Sequence, residues 1–125
     1  MERESKKFFV VGCGRWGSFI AWYLHEIGHR VSLYGREGSK NMEQLLNSRS
    51  NGYVVLPQAV KLTHELNAIS DADILILSIG SQNLDTFMES IEKYSLKNKI
   101  LILCMKGIAI HTGERLSEIV ERHVD

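Results

Sequence analysis

The chain has 125 residues, of which 44% are hydrophobic and 24% charged, with a single proline. This composition argues against extensive disorder, and the length predicts one domain over residues 1–125 rather than two. Fifteen basic and fifteen acidic side chains cancel, so no overall field favours nucleic acid or an anionic membrane as a partner, and an anionic ligand must be held locally.

Two further features bear on location. The opening MERESKK leads into only four apolar residues, and the apolar runs at 74–79 and 100–103 are also short, so we expect neither a signal peptide nor a membrane span. Cys13 and Cys104 stand far apart with no C-x-x-C pattern, which is typical of reduced thiols. We therefore expect a cytoplasmic protein.

Short apolar runs alternate with segments of helical period, and this alternation predicts β-α-β units around a parallel sheet. The predicted strands cover residues 8–11, 31–34, 60–62, 74–77 and 100–104. The last two are apolar at consecutive positions, as parallel strands are when both of their faces are buried.

The first predicted helix has the clearest pattern, an apolar residue at every third or fourth position. These residues are Trp16, Phe19, Ile20, Tyr23, Leu24 and Ile27. We expect that face to lie on the sheet. Similar patterns predict helices over 84–91, behind a Ser81 cap, and over 116–120, behind a Thr112 cap. Between 35 and 60, NMEQLLNSR favours a short helix, and SNGYVVLP a turn followed by an extended segment.

The end of the first helix contains H-E-x-x-H, through His25 and His29. This zinc signature needs both histidines on one continuing helix. Gly28 follows the last periodic residue, Ile27, and glycine at that position typically ends a helix in the left-handed conformation. We therefore expect His29 to lie outside the helix, and we expect no metal site.

The start of the same helix contains G-x-G-x-x-G, through Gly12, Gly14 and Gly17. The motif lies between a strand and an amphipathic helix, which is the context of a dinucleotide-binding loop. Gly12 would allow the tight turn, Gly14 the close approach of a pyrophosphate, and Gly17 close contact between helix and strand. Amide groups near Arg15 and Trp16 would bind the phosphate oxygens. A purely structural turn is the alternative interpretation.

These elements together predict the α/β class: a Rossmann-type, doubly wound, mainly parallel sheet in the order 3-2-1-4-5, with helices on both faces. In that order the fifth strand is an open edge. Open edges recruit partner strands, so we expect a homo-oligomer.

Arg36 follows the second strand, within YGRE. NAD-selective domains usually place a carboxylate there, whereas a cation suits the 2′-phosphate of NADP. The guanidinium could fork onto that phosphate or stack on adenine. The neighbouring carboxylate of Glu37 is also compatible with NAD as the cofactor. The alternative interpretation is that Arg36 is a loop arginine that contacts only solvent. The expected cofactor is therefore NADP(H) or NAD(H).

These segments resemble the N-terminal domain of the bacterial-type NAD(P)-dependent glycerol-3-phosphate dehydrogenases. VVGCGRWGSFIAWYLHEIGHRVSLYGR is similar to that family's cofactor loop, first helix and second strand. NGYVVLP resembles its Asn-containing segment ending in Leu-Pro, and ADILILSIGSQ its fourth strand and loop. ILILCMKGI and TGERLSEI are similar to its Lys-Gly segment and following helix. The resemblance covers nearly the whole chain.

The resemblance implies that Arg15, Trp16, Arg36 and Ser81 contact the cofactor and that Lys106 touches both cofactor and substrate. Lys106 follows the fifth strand, where open α/β sheets bind ligands, and its ammonium could neutralise a triose phosphate or polarise its ketone. A solvated lysine is the alternative. Gly80-Ser81 replaces the family's usual Pro-Ser, which makes that loop less rigid.

The resemblance also implies a small phosphorylated substrate and a reaction that interconverts dihydroxyacetone phosphate and sn-glycerol 3-phosphate, feeding glycerophospholipid synthesis. In the family, the proton-exchanging lysine lies in a helical domain that would follow Asp125, so we expect no catalytic residue in this chain and little turnover. Two alternatives stay open. One is the cofactor domain of a ketopantoate or 6-phosphogluconate type reductase, and the other is a non-catalytic NAD(H)-sensing module.

Overall fold

The structure is a computed structural model that describes residues 5–80, 83–94, 96 and 99–104. Its elements are β1 (Lys7–Val11), α1 (Arg15–Glu26), β2 (Arg30–Tyr34), α2 (Lys40–Ser48), β3 (Lys61–Thr63), a 3-10 turn (Asn67–Asp71), β4 (Ile74–Leu77), α3 (Leu84–Ser90) and β5 (Ile100–Leu103). The strands pair in parallel in the order β3-β2-β1-β4-β5. The predicted fold class and strand order are therefore confirmed.

β1 lies at the centre of the sheet, and its side chains alternate between two cores. Phe8 and Val10 pack with apolar residues of α1 and α2 on one face. Phe9 and Val11 pack with apolar residues of α3 on the other face. Successive residues of a strand point to opposite faces, so a continuous apolar run is what a strand covered on both sides requires.

β5 departs from the sequence-based expectation that both of its faces are buried. Leu101 and Leu103 pack against the core on the α3 side. Ile100 and Ile102, which point the other way, are 58% and 40% exposed. In the part of the chain that the structure describes, β5 is thus covered on one face, whereas β4 between its two neighbours is buried from Leu75 to Leu77.

The face of α1 that packs on the sheet is only partly the one that the apolar pattern predicts, since Ile20, Leu24 and Ile27 pack on the core but the other three predicted residues do not. Its buried residues are Gly17, Ser18, Ala21 and Leu24. Trp16, Phe19 and Tyr23 are instead 69%, 44% and 50% exposed. The cause is steric, because the backbone at Gly17 approaches the loop after β1, and residues three and four positions apart share a helix face. Gly17, Ser18 and Ala21 therefore face the sheet together with Leu24, and Trp16, Phe19 and Tyr23 face outward.

α1 ends at the glycine that separates the two histidines. Gly28 has a φ of +100°, its amide donates to the carbonyl of His25 at 3.0 Å, and the amide of His29 donates to the carbonyl of Leu24 at 3.0 Å. These two bonds form a Schellman motif. His29 lies outside the helix, as predicted, and its Nδ1 accepts the amide of Lys6. Among the described residues, no group of three or more His, Cys, Asp or Glu side chains could hold a metal ion.

The segment between β2 and β3 contains the predicted helix, turn and extended segment. The Ser39 hydroxyl accepts the amide of Met42 at 3.2 Å and so caps α2. Gly52 has a φ of +89°, and an antiparallel bridge joins Ser50 to Val55. This hairpin-like segment lies between α2 and β3 in the chain.

α3 buries Leu84, Phe87 and Met88, as its pattern predicts. Its N-cap residue is Asn83, whose side chain makes no capping hydrogen bond. The predicted cap Ser81 and the predicted helix over 116–120 lie outside the described residues. No helix within the described ranges has the length and apolar character needed to cross a membrane.

Candidate functional site

The candidate site lies at the carboxyl ends of β1, β2 and β4, where three loops meet. The Gly12 amide donates to the Tyr34 carbonyl at 2.9 Å, and the Ser78 amide donates to the Val11 carbonyl at 2.8 Å. These bonds extend the parallel pairing by one residue beyond the strands. The loop after β1 is therefore held from both sides at the edge where open α/β sheets bind ligands.

Two of the three motif glycines make the turn from β1 into α1 sterically possible. Gly12 has a φ of +104°, and a Cβ atom there would lie 2.2 Å from the Ser78 carbonyl oxygen. A Cβ atom on Gly17 would lie 1.7 Å from the carbonyl oxygen of Gly12. Neither position has room for a side chain, so the glycines bring the start of α1 directly against the sheet.

The third glycine leaves open space in front of the helix. Gly14 is the N-cap residue of α1, in extended conformation. Among described atoms within 4 Å, a Cβ there would meet Asn41 Nδ2, at 3.9 Å. The first amide groups of a helix have no partners within it, and the first turn of α1 holds no acidic side chain. These unpaired donors and the helix dipole fit a pyrophosphate.

Cys13 links this loop to the start of α2. The side chain is buried, its Sγ lies 3.4 Å from the Ser39 hydroxyl oxygen, and its carbonyl accepts the Ser18 hydroxyl at 3.1 Å. A Cβ atom on Gly35 would lie 2.7 Å from Cys13 Sγ. The thiol therefore fills a tight space between the loop after β1 and the loop after β2, which is a packing role.

Charged side chains of both signs stand beyond the end of β2. Arg36 and Glu37 are exposed. Burial raises the pKa of the Tyr34 phenol, the nearby Arg36 guanidinium opposes that rise, and the Glu37 carboxylate adds to it. Both charges thus lie near Tyr34. The cation expected for a 2′-phosphate is present at this edge, accompanied by a carboxylate.

An exposed group of aromatic residues borders the start of α1. The Trp16 and Phe19 rings meet edge to face, with centroids 6.4 Å apart, and the Arg15 guanidinium lies 4.3 Å from the centre of the Tyr53 ring. A cavity of about 640 Å³ here is lined by Arg15, Trp16, Phe19, Trp22, Tyr53, Val54 and Val55. The structure thus joins Arg15 and Trp16 to the NGYVVLP segment, a contact between two motifs that the sequence does not reveal.

Two of the predicted site residues, Ser81 and Lys106, lie outside the described residues, so their placement stays a prediction. The structure also identifies two residues near the site that sequence analysis missed. Asn41 faces Gly14 from the first turn of α2, and His64 Nδ1 lies 2.8 Å from the carbonyl oxygen of Gly35. A lone polar residue after a strand has no spacing pattern, so no motif could have identified His64.

Comparison with known sequences identifies a family that this chain matches and shows how much of each protein the match covers. The family model described as the N-terminus of NAD-dependent glycerol-3-phosphate dehydrogenase matches residues 7–125. A glycerol-3-phosphate dehydrogenase (NAD(P)+) of Thermotoga sp. is 38% identical over 117 residues, which cover 92% of this chain and 35% of that protein. The corresponding protein of Thermoanaerobacter sp. is 29% identical over 122 residues, covering 94% and 37%. The chain thus spans little more than a third of the length of these relatives.

Comparison with solved structures gives the same architecture. A glycerol-3-phosphate dehydrogenase from Coxiella burnetii superposes with a TM-score of 0.85 at 18% identity, covering 96% of this chain and 38% of that one. A protein described as 2-dehydropantoate 2-reductase, from Enterococcus faecalis, gives a TM-score of 0.69 at 20% identity, covering 94% and 37%. At such identities the likeness shows the fold alone.

Proposed function

Because the chain belongs to the NAD-dependent glycerol-3-phosphate dehydrogenase family and matches its N-terminal part, we propose that it binds NADP(H) or NAD(H) at the carboxyl edge of its sheet. We propose further that the whole protein interconverts dihydroxyacetone phosphate and sn-glycerol 3-phosphate by hydride transfer. That reaction would supply the backbone of glycerophospholipids. When bound, the nicotinamide ring would give the hydride to the ketone or take it from the alcohol, and the residues of this chain hold the dinucleotide.

The observation that carries this proposal is the start of α1. The absence of side chains at Gly12 and Gly17 lets the helix start directly against the sheet, and Gly14 leaves open the space before the first helical turn. The amides of the first turn have no partner within the helix and, as at other helix N-termini, are directed toward the space before it. A pyrophosphate placed there would accept several of these amides and interact favourably with the helix dipole.

The other contacts follow from the direction of the strands. Arg36, beyond β2, is proposed to bind the adenosine ribose and its 2′-phosphate when the cofactor is NADP(H). Ser81 after β4 and Lys106 after β5 are proposed to contact the cofactor, and Lys106 also the phosphorylated substrate. The group that exchanges a proton with the substrate oxygen is proposed to lie outside residues 1–125, since the chain spans 35–37% of its relatives.

The test is a titration of the chain with NADPH, NADH and ADP-ribose, followed by tryptophan fluorescence. Trp16 is 69% exposed and lies two residues after the helix N-cap, so bound ligand should change its emission. Gly14→Asp is the decisive variant, because aspartate is a favoured N-cap residue in extended conformation. The carboxylate would occupy the amides and repel the pyrophosphate. We expect an unchanged or slightly raised melting temperature and at least about tenfold weaker binding of all three ligands.

Ala59→Asp is the matched control. Ala59 is exposed and precedes the amino end of β3, at the opposite edge of the sheet, so the variant adds the same charge away from the proposed site and should leave affinity unchanged. Wild-type chain that binds none of the three ligands, or a folded Gly14→Asp variant that binds them normally, would show the proposal to be wrong.

A further inference from the structure

The two peptide groups on either side of the Gly35 Cα atom are held by residues at the end of β3. The Gly35 amide donates to the Thr63 carbonyl at 3.0 Å, and the Gly35 carbonyl oxygen lies 2.8 Å from Nδ1 of His64. A carbonyl oxygen only accepts hydrogen bonds, so Nδ1 must carry the proton in this contact. His64 therefore donates to the last backbone group before Arg36.

Packing leaves this stretch of backbone little freedom. Gly35 is buried, and a Cβ atom there would lie 2.7 Å from Cys13 Sγ and 3.0 Å from Met42 Cβ. On the far side of Arg36, its own carbonyl accepts the Ser39 amide at 3.1 Å. Both peptide groups that flank the Arg36 Cα atom are thus hydrogen-bonded, and the bond on the amino-terminal side is the one from His64.

We propose that His64 is a positioning residue for cofactor selectivity: by fixing the Gly35–Arg36 peptide plane, it directs the Arg36 guanidinium toward the 2′-phosphate of NADPH. The inference rests on the proposed function. NADH lacks that phosphate, and the pyrophosphate donors of α1 do not depend on this peptide. Loss of the His64 bond therefore weakens NADPH binding and leaves NADH binding nearly as it is.

The experiment titrates the full chain with NADPH and NADH for wild type, His64→Ala and His64→Asn. Removing one hydrogen bond should weaken NADPH binding roughly three- to tenfold, with NADH affinity changed less than about twofold. The asparagine Nδ2 can donate from nearly the same position as imidazole Nδ1, so His64→Asn should restore the wild-type ratio. A merely structural role would not produce this rescue together with a selective loss.

His29→Ala is the matched control. His29 also makes an imidazole-to-backbone hydrogen bond, with the Lys6 amide at 3.1 Å, but before the amino end of β2. Its replacement should leave the NADPH-to-NADH ratio unchanged. If His64→Ala does not fold, as judged by its melting curve, His64→Gln takes its place, since the glutamine amide matches Nε2 rather than Nδ1 and should not rescue.

The outcomes separate the two proposals. A chain that binds neither cofactor overturns the proposed function and this inference with it. Wild-type binding of both cofactors with an unmoved ratio in folded His64→Ala overturns the role of His64 alone. So does a folded His64→Asn variant as weak for NADPH as His64→Ala, because the imidazole would then act through an atom other than Nδ1.

Discussion

The backbone at Gly17 passes so close to Gly12 that a Cβ atom on Gly17 would lie 1.7 Å from the Gly12 carbonyl oxygen. Gly17→Ala must therefore displace α1 from the sheet or distort the loop after β1. We expect the free energy of unfolding to fall by about 2–4 kcal/mol, as measured by urea denaturation.

Gly14→Ala is the control for this loss of stability. The added methyl group would meet Asn41 Nδ2 at 3.9 Å, an ordinary contact, and the backbone there is extended. Because alanine is a poorer N-cap residue than glycine, we expect a loss of about 1 kcal/mol or less, below the loss for Gly17→Ala. Equal losses from the two variants would mean that the contact between Gly17 and Gly12 does not fix the position of the helix.

Arg36→Ala tests the adenosine end of the site. A guanidinium that forks onto a phosphate makes two charge-assisted hydrogen bonds, so its loss should weaken NADPH binding by roughly 10- to 100-fold. NADH, which lacks the 2′-phosphate, should bind with nearly unchanged affinity. Fluorescence titration of the variant with both cofactors measures the two effects.

Arg30→Ala serves as the control for Arg36→Ala, because Arg30 is also exposed and begins β2, at the opposite edge of the sheet. It removes the same charge without touching the proposed site. A chain that strongly prefers NADH and is indifferent to Arg36→Ala would favour a nucleotide-sensing module over a dehydrogenase that uses NADP(H).

The sheet could be predicted from sequence because its central strands leave few alternatives. Residues 8–11 and 74–77 are apolar at every position, and such runs suit strands that are buried on both faces. Gly28 likewise predicts the end of α1, since the left-handed conformation it adopts is one that other residues rarely take. For the central strands and for Gly28, the residues themselves meet the physical requirement of the structure, so sequence alone predicts it.

The site was only partly predictable, because its contacts depend on how separate elements come together. The apolar pattern of α1 predicts which residues form an apolar face. The face that packs on the sheet depends instead on the approach of Gly17 to Gly12, which is a property of the loop after β1. The bond from His64 to Gly35 depends on Tyr34 and Thr63 being paired in register. No pattern within either strand determines that pairing.

A turnover assay of the chain tests whether the proton-exchanging group lies outside it, as the proposed function states. We expect the purified 125-residue chain to bind NADPH but to give no steady-state reduction of dihydroxyacetone phosphate, because the proposal places the proton-exchanging group outside residues 1–125. Loss of NADPH absorbance in the presence of substrate measures the rate. Sustained turnover above a blank without protein would show that the chain holds its own proton donor.

The orientation of α1 predicts how much stability is lost when its side chains are replaced. At Phe19 this prediction is opposite to the one from the apolar pattern. Ala21 is completely buried, whereas Phe19 is 44% exposed. Ala21→Leu would insert three carbon atoms into a packed core and should cost about 1–3 kcal/mol. Phe19→Ala removes a larger side chain from a half-exposed position and should cost less than about 1 kcal/mol, well below the loss for a buried phenylalanine.

Urea denaturation of these two variants decides between the two orientations of α1. Alanine and leucine both favour helices, so Ala21→Leu measures packing. Phe19→Ala gains roughly 0.5 kcal/mol of helix propensity, which is small beside the loss of about 3–5 kcal/mol expected for a buried phenylalanine. If Phe19→Ala proved the more damaging change, α1 would lie on the sheet through its aromatic face. The close approach of Gly17 to Gly12, and with it the position of the unpaired amides, would then be lost as the basis of the site.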